Sequence, residues 1–156
     1  MTESARLALP ADVPAMRSIA EAAAATLDGA RGASVFLGRE AADEPQRIAA
    51  ATAEGRAVVG TYDDVVLGYA VSTIERLRDD SLLGRIESLV VHPDARGAGI
   101  GEAIMNLVIT TLRDAECVSI DAHALPGDRE TKNFFESFGL KARLLVVNLL
   151  LEPSDA

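Results

Sequence analysis

The chain has 156 residues, 49% of them hydrophobic, and a formal net charge of −9 at pH 7. This composition predicts a single globular domain over residues 1–156, because such a chain buries a core and is too apolar to stay disordered. The acidic excess argues against a nucleic-acid-binding protein, whose affinity rests on Lys and Arg, and suits a cationic partner better.

The sequence also bears on the compartment. The first residues lack the charged start and apolar run of a secretory signal, and no apolar stretch is long enough to cross a bilayer. The single cysteine, Cys117, excludes an intramolecular disulfide and reads as a small buried residue. We therefore expect a cytoplasmic protein with no membrane partner.

The N-terminal third predicts one strand and two helices. A short strand covers residues 6–9, and Asp12 is placed to cap a helix that runs to about Leu27. Residues 29–38 are rich in small side chains and predict a loop. A more polar helix follows over residues 39–53.

The middle of the chain predicts three strands. Residues 56–62 and 65–76 form an antiparallel hairpin around the Asp63-Asp64 turn. A fourth strand covers residues 84–92 and is stopped by Pro93.

The C-terminal part alternates helices with strands. A helix with apolar residues at helical spacing opens near Gly101, a fifth strand covers residues 117–124, and a short helix runs from a cap at Asp128 to Gly139. Residues 140–151 predict a final strand that is apolar on both faces apart from Asn148. Such a strand is either buried within the sheet or lies in an interface, which leaves a homodimer open. The element order predicts a mixed sheet with helices on both faces, an α/β architecture.

The most specific local signal is the loop between the fourth strand and the following helix. A helix N-terminus presents backbone N–H groups without partners, and glycines let a phosphate approach them closely. The loop lacks the third glycine of a dinucleotide fingerprint and the Gly-Lys-Ser/Thr of a nucleotide-triphosphate loop. The loop therefore either binds a pyrophosphate in another way or is only a glycine-rich turn from strand to helix. The residues concerned are Arg96, Gly97, Ala98, Gly99, Ile100 and Gly101.

Residues 87–101 resemble the acetyl-CoA-binding motif of the GNAT family of N-acetyltransferases, whose loop reads Arg/Gln-x-x-Gly-x-Gly/Ala. Residues 129–140, RETKNFFESFGL, resemble the family's later motif, and residues 7–19 resemble its opening strand and helix. The likeness covers nearly the whole chain.

The resemblance implies a mixed, mostly antiparallel sheet whose fourth and fifth strands separate. It implies acetyl-CoA as co-substrate, with no metal, and a small-molecule or peptide amine that attacks the thioester directly. The pantetheine arm would lie along Leu89, Val90 and Val91, and Asp128 and Phe135 would also contact the coenzyme. Ala23, Ala24, Leu27, Val35 and Phe36 would line the acceptor pocket, or would serve only in ordinary packing.

Two residues are candidates for the base that takes the proton of the amine. Glu87 lies on the fourth strand, where alternation predicts the same face as Leu89 and Val91. Its alternative role is a strand-end carboxylate paired with Arg85. His123 lies late on the predicted fifth strand, where an imidazole could accept a proton near neutral pH, and its alternative role is structural. His92 is expected to end the fourth strand rather than to act in catalysis.

Two departures from the family pattern bear on activity. Phe135 stands where the family usually has Tyr, so no phenol can protonate the departing thiolate, and Ser137 or water would have to replace it. Asp128 stands where Asn is common and, when ionised, donates no side-chain hydrogen bond. The alternative to an enzyme is therefore a non-catalytic acyl-CoA-binding or regulatory module.

Overall fold

The computed structural model describes residues 2–27, 33–123 and 129–151. Five strands form one sheet in the order β1-β2-β3-β4-β5; all neighbours are antiparallel except β4 and β5, which are parallel. The strands are β1 (Glu3–Leu7), β2 (Ala57–Tyr62), β3 (Val65–Arg76), β4 (Leu82–Val91) and β5 (Cys117–Ala122). The helices are α1 (Val13–Ala24), α2 (Ala33–Gly38), α3 (Glu40–Ala53), α4 (Ile100–Asp114) and α5 (Arg129–Ser137).

Helices cover both faces of this sheet, as predicted. Successive strand residues point to opposite faces, so Val58 packs with α4 while Val59 packs with α1 and α3. On the first face, Met16, Ile19 and Ile48 are at most 3% exposed. On the second face, the apolar stripe of α4 is fully buried at Ile100, Ile104, Met105, Val108 and Leu112. The mixed, mostly antiparallel sheet is confirmed.

The hairpin between β2 and β3 is also confirmed. Asp63 and Asp64 both have positive φ, at 49° and 67°. Two central residues with positive φ match the right-handed twist of the flanking strands. The hairpin brings Gly60 opposite Gly68, beside a β-bulge in β3 at Leu67.

Gly60 and Gly68 lie where the first turn of α4 packs on the sheet. An ideal Cβ on Gly60 would lie 2.6 Å from Ile100 Cγ2, and one on Gly68 would lie 2.9 Å from Ile104 Cδ1. The first turn of α4 therefore rests directly on the backbone of the two strands. Any larger residue at these positions would lift the start of the helix.

Asp12 caps a different element from the predicted one. Residues Pro10–Asp12 form a 3-10 turn, and the Asp12 carboxylate accepts the Leu9 backbone N–H at 2.7 Å and two hydrogen bonds from the Arg6 guanidinium. It makes no side-chain cap to α1. The Arg6 guanidinium holds the pKa of the Asp12 carboxyl below its usual value, against the opposing effect of burial.

The loop predicted over residues 29–38 is wrong in its second half. Residues Ala33–Gly38 form the short helix α2, which leads into α3. Ala and Leu favour helix when no breaker intervenes. Residues 28–32 lie outside the described part of the chain.

The predicted final strand is also wrong. Residues 140–151 carry no strand pairing among the described residues, and the side chains from Leu144 to Leu151 are exposed. β-branched and apolar composition favours a strand but does not supply the neighbouring edge that a strand requires. No strand among the described residues pairs with this segment.

In the part of the chain that the structure describes, no helix is both long enough and apolar enough to cross a bilayer.

Candidate active site

The site begins at a fork between two parallel strands. β5 pairs with β4 only as far as Ala122, which lies opposite Ile86. From Glu87 to Val91, β4 continues without β5, and Ser88 to Val91 pair with β3 on the other side. The backbone of this stretch therefore has one edge open towards a cleft.

The glycine loop lies at the end of that open stretch. After a 3-10 turn at Pro93–Ala95, Gly97 and Gly99 adopt φ values of +86° and +81°, which favour glycine. α4 begins at Ile100, and the first helical hydrogen bond runs from the Ala103 N–H to the Gly99 carbonyl. The amides of the first three helical residues thus have no helical partner and point out of the helix start.

The three glycines have different surroundings. A Cβ on Gly97 would meet no atom within 4 Å, whereas one on Gly99 would lie 3.3 Å from the Glu3 side chain. A Cβ on Gly101 would lie 3.4 Å from the Phe134 ring. Gly97 therefore leaves open space at the loop, and Gly101 allows the close approach of α5.

Arg96 lies at the rim of the loop. Its guanidinium is 3.7 Å from the Glu130 carboxylate, and the two side chains are 53% and 85% exposed. An ion pair this exposed is weak because water screens it. The guanidinium remains available to an anion at the loop.

A cleft of about 1330 Å³ joins the fork and the loop. Its walls include β4 from Glu87 to Val91, the glycine loop, Phe134 and Phe135 of α5, and residues of α1 and α3. This volume exceeds the roughly 300–1,000 Å³ of ordinary small-molecule pockets. The cleft also includes four of the predicted acceptor-pocket residues: Ala23, Ala24, Leu27 and Val35. The Phe36 side chain lies outside the described part.

Glu87 lies at the fork, but not on the predicted face. A β-bulge in β4 sets Ser88 opposite Val71 and Ile86 opposite Ser72, so alternation breaks at Glu87. Its carboxylate accepts a hydrogen bond from the Thr73 hydroxyl at 2.9 Å and lines the cleft. Leu89 and Val91 instead pack with the core under α4.

Arg85, the alternative partner predicted for Glu87, pairs with a different carboxylate. Arg85 lies 3.4 Å from the Glu75 carboxylate, one strand away. Glu87 is therefore held by a neutral hydroxyl and remains directed towards the cleft.

His123 lies at the same fork, on the β5 side. It follows Ala122, the last paired residue of β5, just as Glu87 follows Ile86 on β4. His123 also lines the cleft and is exposed. His92 has a structural role instead, because its Nδ1 accepts the Asp94 backbone N–H at 3.1 Å.

Sequence reasoning missed a buried polar cluster in the wall of the cleft. Glu44 on α3 is 8% exposed, and its carboxylate accepts hydrogen bonds from the Tyr69 hydroxyl at 2.7 Å and the Ser88 hydroxyl at 3.2 Å. Arg47 pairs with the same carboxylate at 3.1 Å. Burial raises the pKa of the Tyr69 phenol, with the Glu44 charge acting in the same direction. The available signal was the helical spacing of Glu44, Ile48 and Ala51, which puts a carboxylate on the buried face of α3.

Phe135 closes the cleft beside the loop. Its ring is 6% exposed and meets Phe134 edge to face at a centroid distance of 5.7 Å. Ser137, the proposed substitute acid, donates its hydroxyl to the Phe134 carbonyl at 2.6 Å and is not among the described residues that line the cleft. Ser137 is therefore not placed to donate a proton within the cleft.

The other candidate residues are less informative. Asp128 lies outside the described residues, and Ala98 is an exposed loop residue. Within residues 2–27, 33–123 and 129–151, no three His, Cys, Asp or Glu side chains are grouped to hold a metal ion.

Comparison with solved structures gives the same fold at low identity. Glucosamine-6-phosphate N-acetyltransferase from Arabidopsis thaliana is 18% identical with a TM-score of 0.66, over 97% of this chain and 100% of that chain. AAC(6')-Iy, solved with the bisubstrate analogue CoA-S-monomethyl-acetylneamine, is 15% identical with a TM-score of 0.68, over 98% and 100%. A transcriptional regulator from Bacillus halodurans is 17% identical with a TM-score of 0.69, over 96% and 100%.

Sequence comparison supplies the family. No curated protein matches this sequence closely enough to count as a relative. The profile of the Acetyltransferase (GNAT) family, however, matches residues 25–140, which include α3, the whole fork, the glycine loop and α5. The chain therefore belongs to the GNAT family of acetyltransferases.

Proposed function

We propose that this protein transfers an acetyl group from acetyl-CoA to a primary amine. The observation that carries the proposal is the fork between β4 and β5, with a glycine loop and a helix N-terminus at the end of its open edge. An elongated thioester co-substrate with a diphosphate requires these two features together.

The loop supports binding of the diphosphate. The free amides at the start of α4 carry the partial positive charge of the helix N-terminus. Gly97 leaves the space beside them open, and Arg96 adds a forked donor at the rim. Phosphate oxygens would accept hydrogen bonds from Ile100, Gly101 and Glu102 N–H groups.

The open edge of β4 supports binding of the pantetheine arm. Leu89, Val90 and Val91 pair with β3 on one side only, so their outward backbone groups can pair with the pantetheine amides as an added strand would. This arrangement directs the thioester towards the fork, where Glu87 and His123 lie.

The chemistry requires a group that removes a proton from the amine. The amine nitrogen bonds to the thioester carbonyl carbon, the carbon–sulfur bond breaks, and the electron pair leaves on sulfur. The nitrogen proton passes to Glu87, directly or through water, and His123 is the second candidate for this role. Thr73 fixes the Glu87 carboxylate in the cleft, which favours Glu87 as the base. The thiolate then takes a proton from water, because Phe135 has none to give.

The acceptor side of the cleft favours a cationic amine. Its lining includes the carboxylates of Glu21 and Glu87, and also those of Glu40 and Glu44, which pair with Arg39 and Arg47. The net charge of −9 adds a field of the same sign. Arg17, Arg39 and Arg47 also reach the lining, so the acceptor can carry polar groups in addition to the amine.

Two glycine variants test coenzyme binding. Gly97 and Gly55 both have positive φ, and neither would bring a Cβ within 4 Å of another atom. Gly97→Val and Gly55→Val therefore strain the backbone similarly, but only Gly97 lies at the loop. We expect calorimetric titration with coenzyme A to show lost binding for Gly97→Val and near-native binding for Gly55→Val. Equal binding by both variants would show that the loop is not the diphosphate site.

Thiol release from acetyl-CoA over a panel of amines tests transfer. A second candidate function, a non-catalytic acyl-CoA-binding module, is favoured by Phe135, which has no hydroxyl at the position where the family pattern usually has Tyr. That module would bind coenzyme A tightly and release no thiol with any amine, whereas the enzyme would release thiol in proportion to acetylated amine.

A further inference from the structure

A buried carboxylate in the wall of the cleft has no role in the transfer chemistry proposed above. Glu44 on α3 is 8% exposed, and its carboxylate accepts hydrogen bonds from the Tyr69 hydroxyl at 2.7 Å and the Ser88 hydroxyl at 3.2 Å. The Arg47 guanidinium lies 3.1 Å from the same carboxylate. Burying a carboxylate is costly unless hydrogen bonds and an opposite charge compensate it, and here three donors do so.

These partners make Glu44 unsuited to act as a base or as a cation site. A carboxylate has about four positions at which it accepts hydrogen bonds, and three donors already occupy it. Arg47 also compensates its charge. A proton on this carboxylate, or an ammonium ion beside it, would compete with donors already in place. Glu44 therefore acts by holding its partners.

One of these partners lies beside the bulge that directs Glu87 into the cleft. Ser88 lies opposite Val71 and Ile86 lies opposite Ser72, so Glu87 is the extra residue of β4. The extra residue of a bulge has no partner in the strand ladder. Neighbouring contacts must therefore fix the direction of the Glu87 side chain.

The sheet holds this part of β4 from one side only. β5 pairs with β4 as far as Ile86, and beyond it no strand among the described residues pairs with that edge. The hydrogen bond from Ser88 to Glu44 adds a contact with α3, which covers the first face. Because Tyr69 on β3 donates to the same carboxylate, Glu44 joins α3 to both strands.

The Glu87 carboxylate lies on the same side of the sheet as this contact. Thr73, which donates to Glu87, follows Val71 by two residues on β3. Val71 packs in the core of the first face, so alternation puts Thr73 on that face too. Ser88 and Glu87 thus both direct their side chains to the face that α3 covers.

We propose that Ser88 and Glu44 are positioning residues for Glu87. This inference rests on the proposed function, in which Glu87 removes the proton of the amine. Thr73 holds the carboxylate itself, whereas Glu44 acts through Ser88 on the backbone from which the Glu87 side chain projects. Displacing a reacting group by about 1 Å can cost ~10²-fold in rate, so the hold on the bulge affects the chemical step.

Ser88→Ala tests the role of the hydroxyl, with thiol release measured for the amine that gives the highest rate. We expect kcat to fall ~10-fold, while the KM for the amine and the affinity for coenzyme A change by less than about 2-fold. Ser88→Thr keeps a hydroxyl and should restore kcat to within ~3-fold of wild type.

Ser72→Ala is the matched control. Ser72 lies beside the same bulge, but its hydroxyl donates to the Arg56 carbonyl at 3.3 Å. Each alanine variant loses one hydroxyl hydrogen bond, so their Tm values should fall by similar amounts. Only Ser88→Ala should lower kcat. A wild-type kcat for Ser88→Ala, or an equal fall in kcat for both variants, would overturn the proposal.

A double-mutant cycle separates positioning from a general weakening of the structure. If Ser88 acts through Glu87, then adding Ser88→Ala to Glu87→Gln should lower kcat by less than about 2-fold further. Independent, multiplying losses would contradict the positioning role. Glu44→Gln should repeat the loss seen with Ser88→Ala, and a wild-type kcat would exclude Glu44; where this variant does not fold, the Ser88 cycle decides.

Failure of the proposed function gives a different result. A wild-type chain that releases no thiol with any amine would overturn both the transferase and the positioning role. A wild-type kcat for Glu87→Gln would overturn the choice of base, and the positioning role with it. Loss of kcat in Glu87→Gln but not in Ser88→Ala would overturn the positioning role alone.

Discussion

Replacing Gly60 by alanine should weaken the packing of α4 on the sheet. The added methyl carbon would lie 2.6 Å from Ile100 Cγ2 and 2.7 Å from two carbons of Ile104. Neither isoleucine can swing aside into solvent, because they are 1% and 0% exposed. The clash must therefore be relieved by moving the first turn of α4 away from the sheet.

The magnitude follows from two opposing effects. Overpacking a well-packed core costs about 1–3 kcal/mol. Gly60 does not have a positive φ, so alanine also restricts the unfolded chain and returns about 0.4–1 kcal/mol. The net loss is roughly 1–2 kcal/mol, or a fall in Tm of roughly 2–8 °C for a chain of this size.

Thermal and urea unfolding measure this loss, with Gly38→Ala as the control. A Cβ on Gly38 meets nothing within 4 Å, so Gly38→Ala should keep the wild-type stability or raise it by up to about 1 kcal/mol. Coenzyme A affinity should fall with Gly60→Ala as well. Ile100 begins α4, and the first backbone N–H groups of α4 lie at the glycine loop. A Gly60→Ala variant with the Tm and the coenzyme A affinity of the wild type would refute the direct packing of α4 on Gly60 and Gly68.

Three further outcomes are expected. Glu87→Gln should lower kcat by at least ~10²-fold with unchanged coenzyme A affinity, whereas His123→Gln should change kcat less; the reverse ranking in steady-state kinetics would make His123 the base. Phe135→Tyr restores a proton donor, and its thiol-release rate should hold or rise by up to ~10-fold; a large fall would show that the missing hydroxyl does not limit the rate. Arg6→Met should destabilise the fold by about 1 kcal/mol at pH 7, since the pair with Asp12 is half exposed. Because the folded pKa of Asp12 lies below its unfolded value, this stabilisation is present above about pH 4 and is lost as pH falls through the folded pKa, so urea midpoints of the two proteins should converge in acid.

Much of the fold followed from local patterns. The Asp63-Asp64 turn between two apolar runs predicted the hairpin, and the helical spacing of Ile104, Met105 and Val108 predicted α4. The glycine loop was identified by its own chemistry, because glycine content and a helix start are local properties. These features depend on residues close together in sequence.

The sequence-based predictions were wrong where contacts between residues far apart in the chain determine the structure. Alternation misplaced Glu87 because the bulge in β4 is set by pairing with β3 and is invisible in β4 alone. Glu44 was overlooked because its partners, Tyr69 and Ser88, lie on strands far along the chain. Asp12 was assigned to α1 because its contact with Arg6 spans a turn that the sequence does not reveal.

The sequence by itself determined strands β1 to β5, helices α1, α3, α4 and α5, and the glycine loop at the start of α4, since backbone propensity, side-chain periodicity and glycine act over a few residues. Only the tertiary structure decided where β4 and β5 part, which side chains meet in the cleft, and that the last apolar residues remain uncovered in one copy. Those outcomes depend on strand register and on which edges are filled, and both are properties of the assembled sheet.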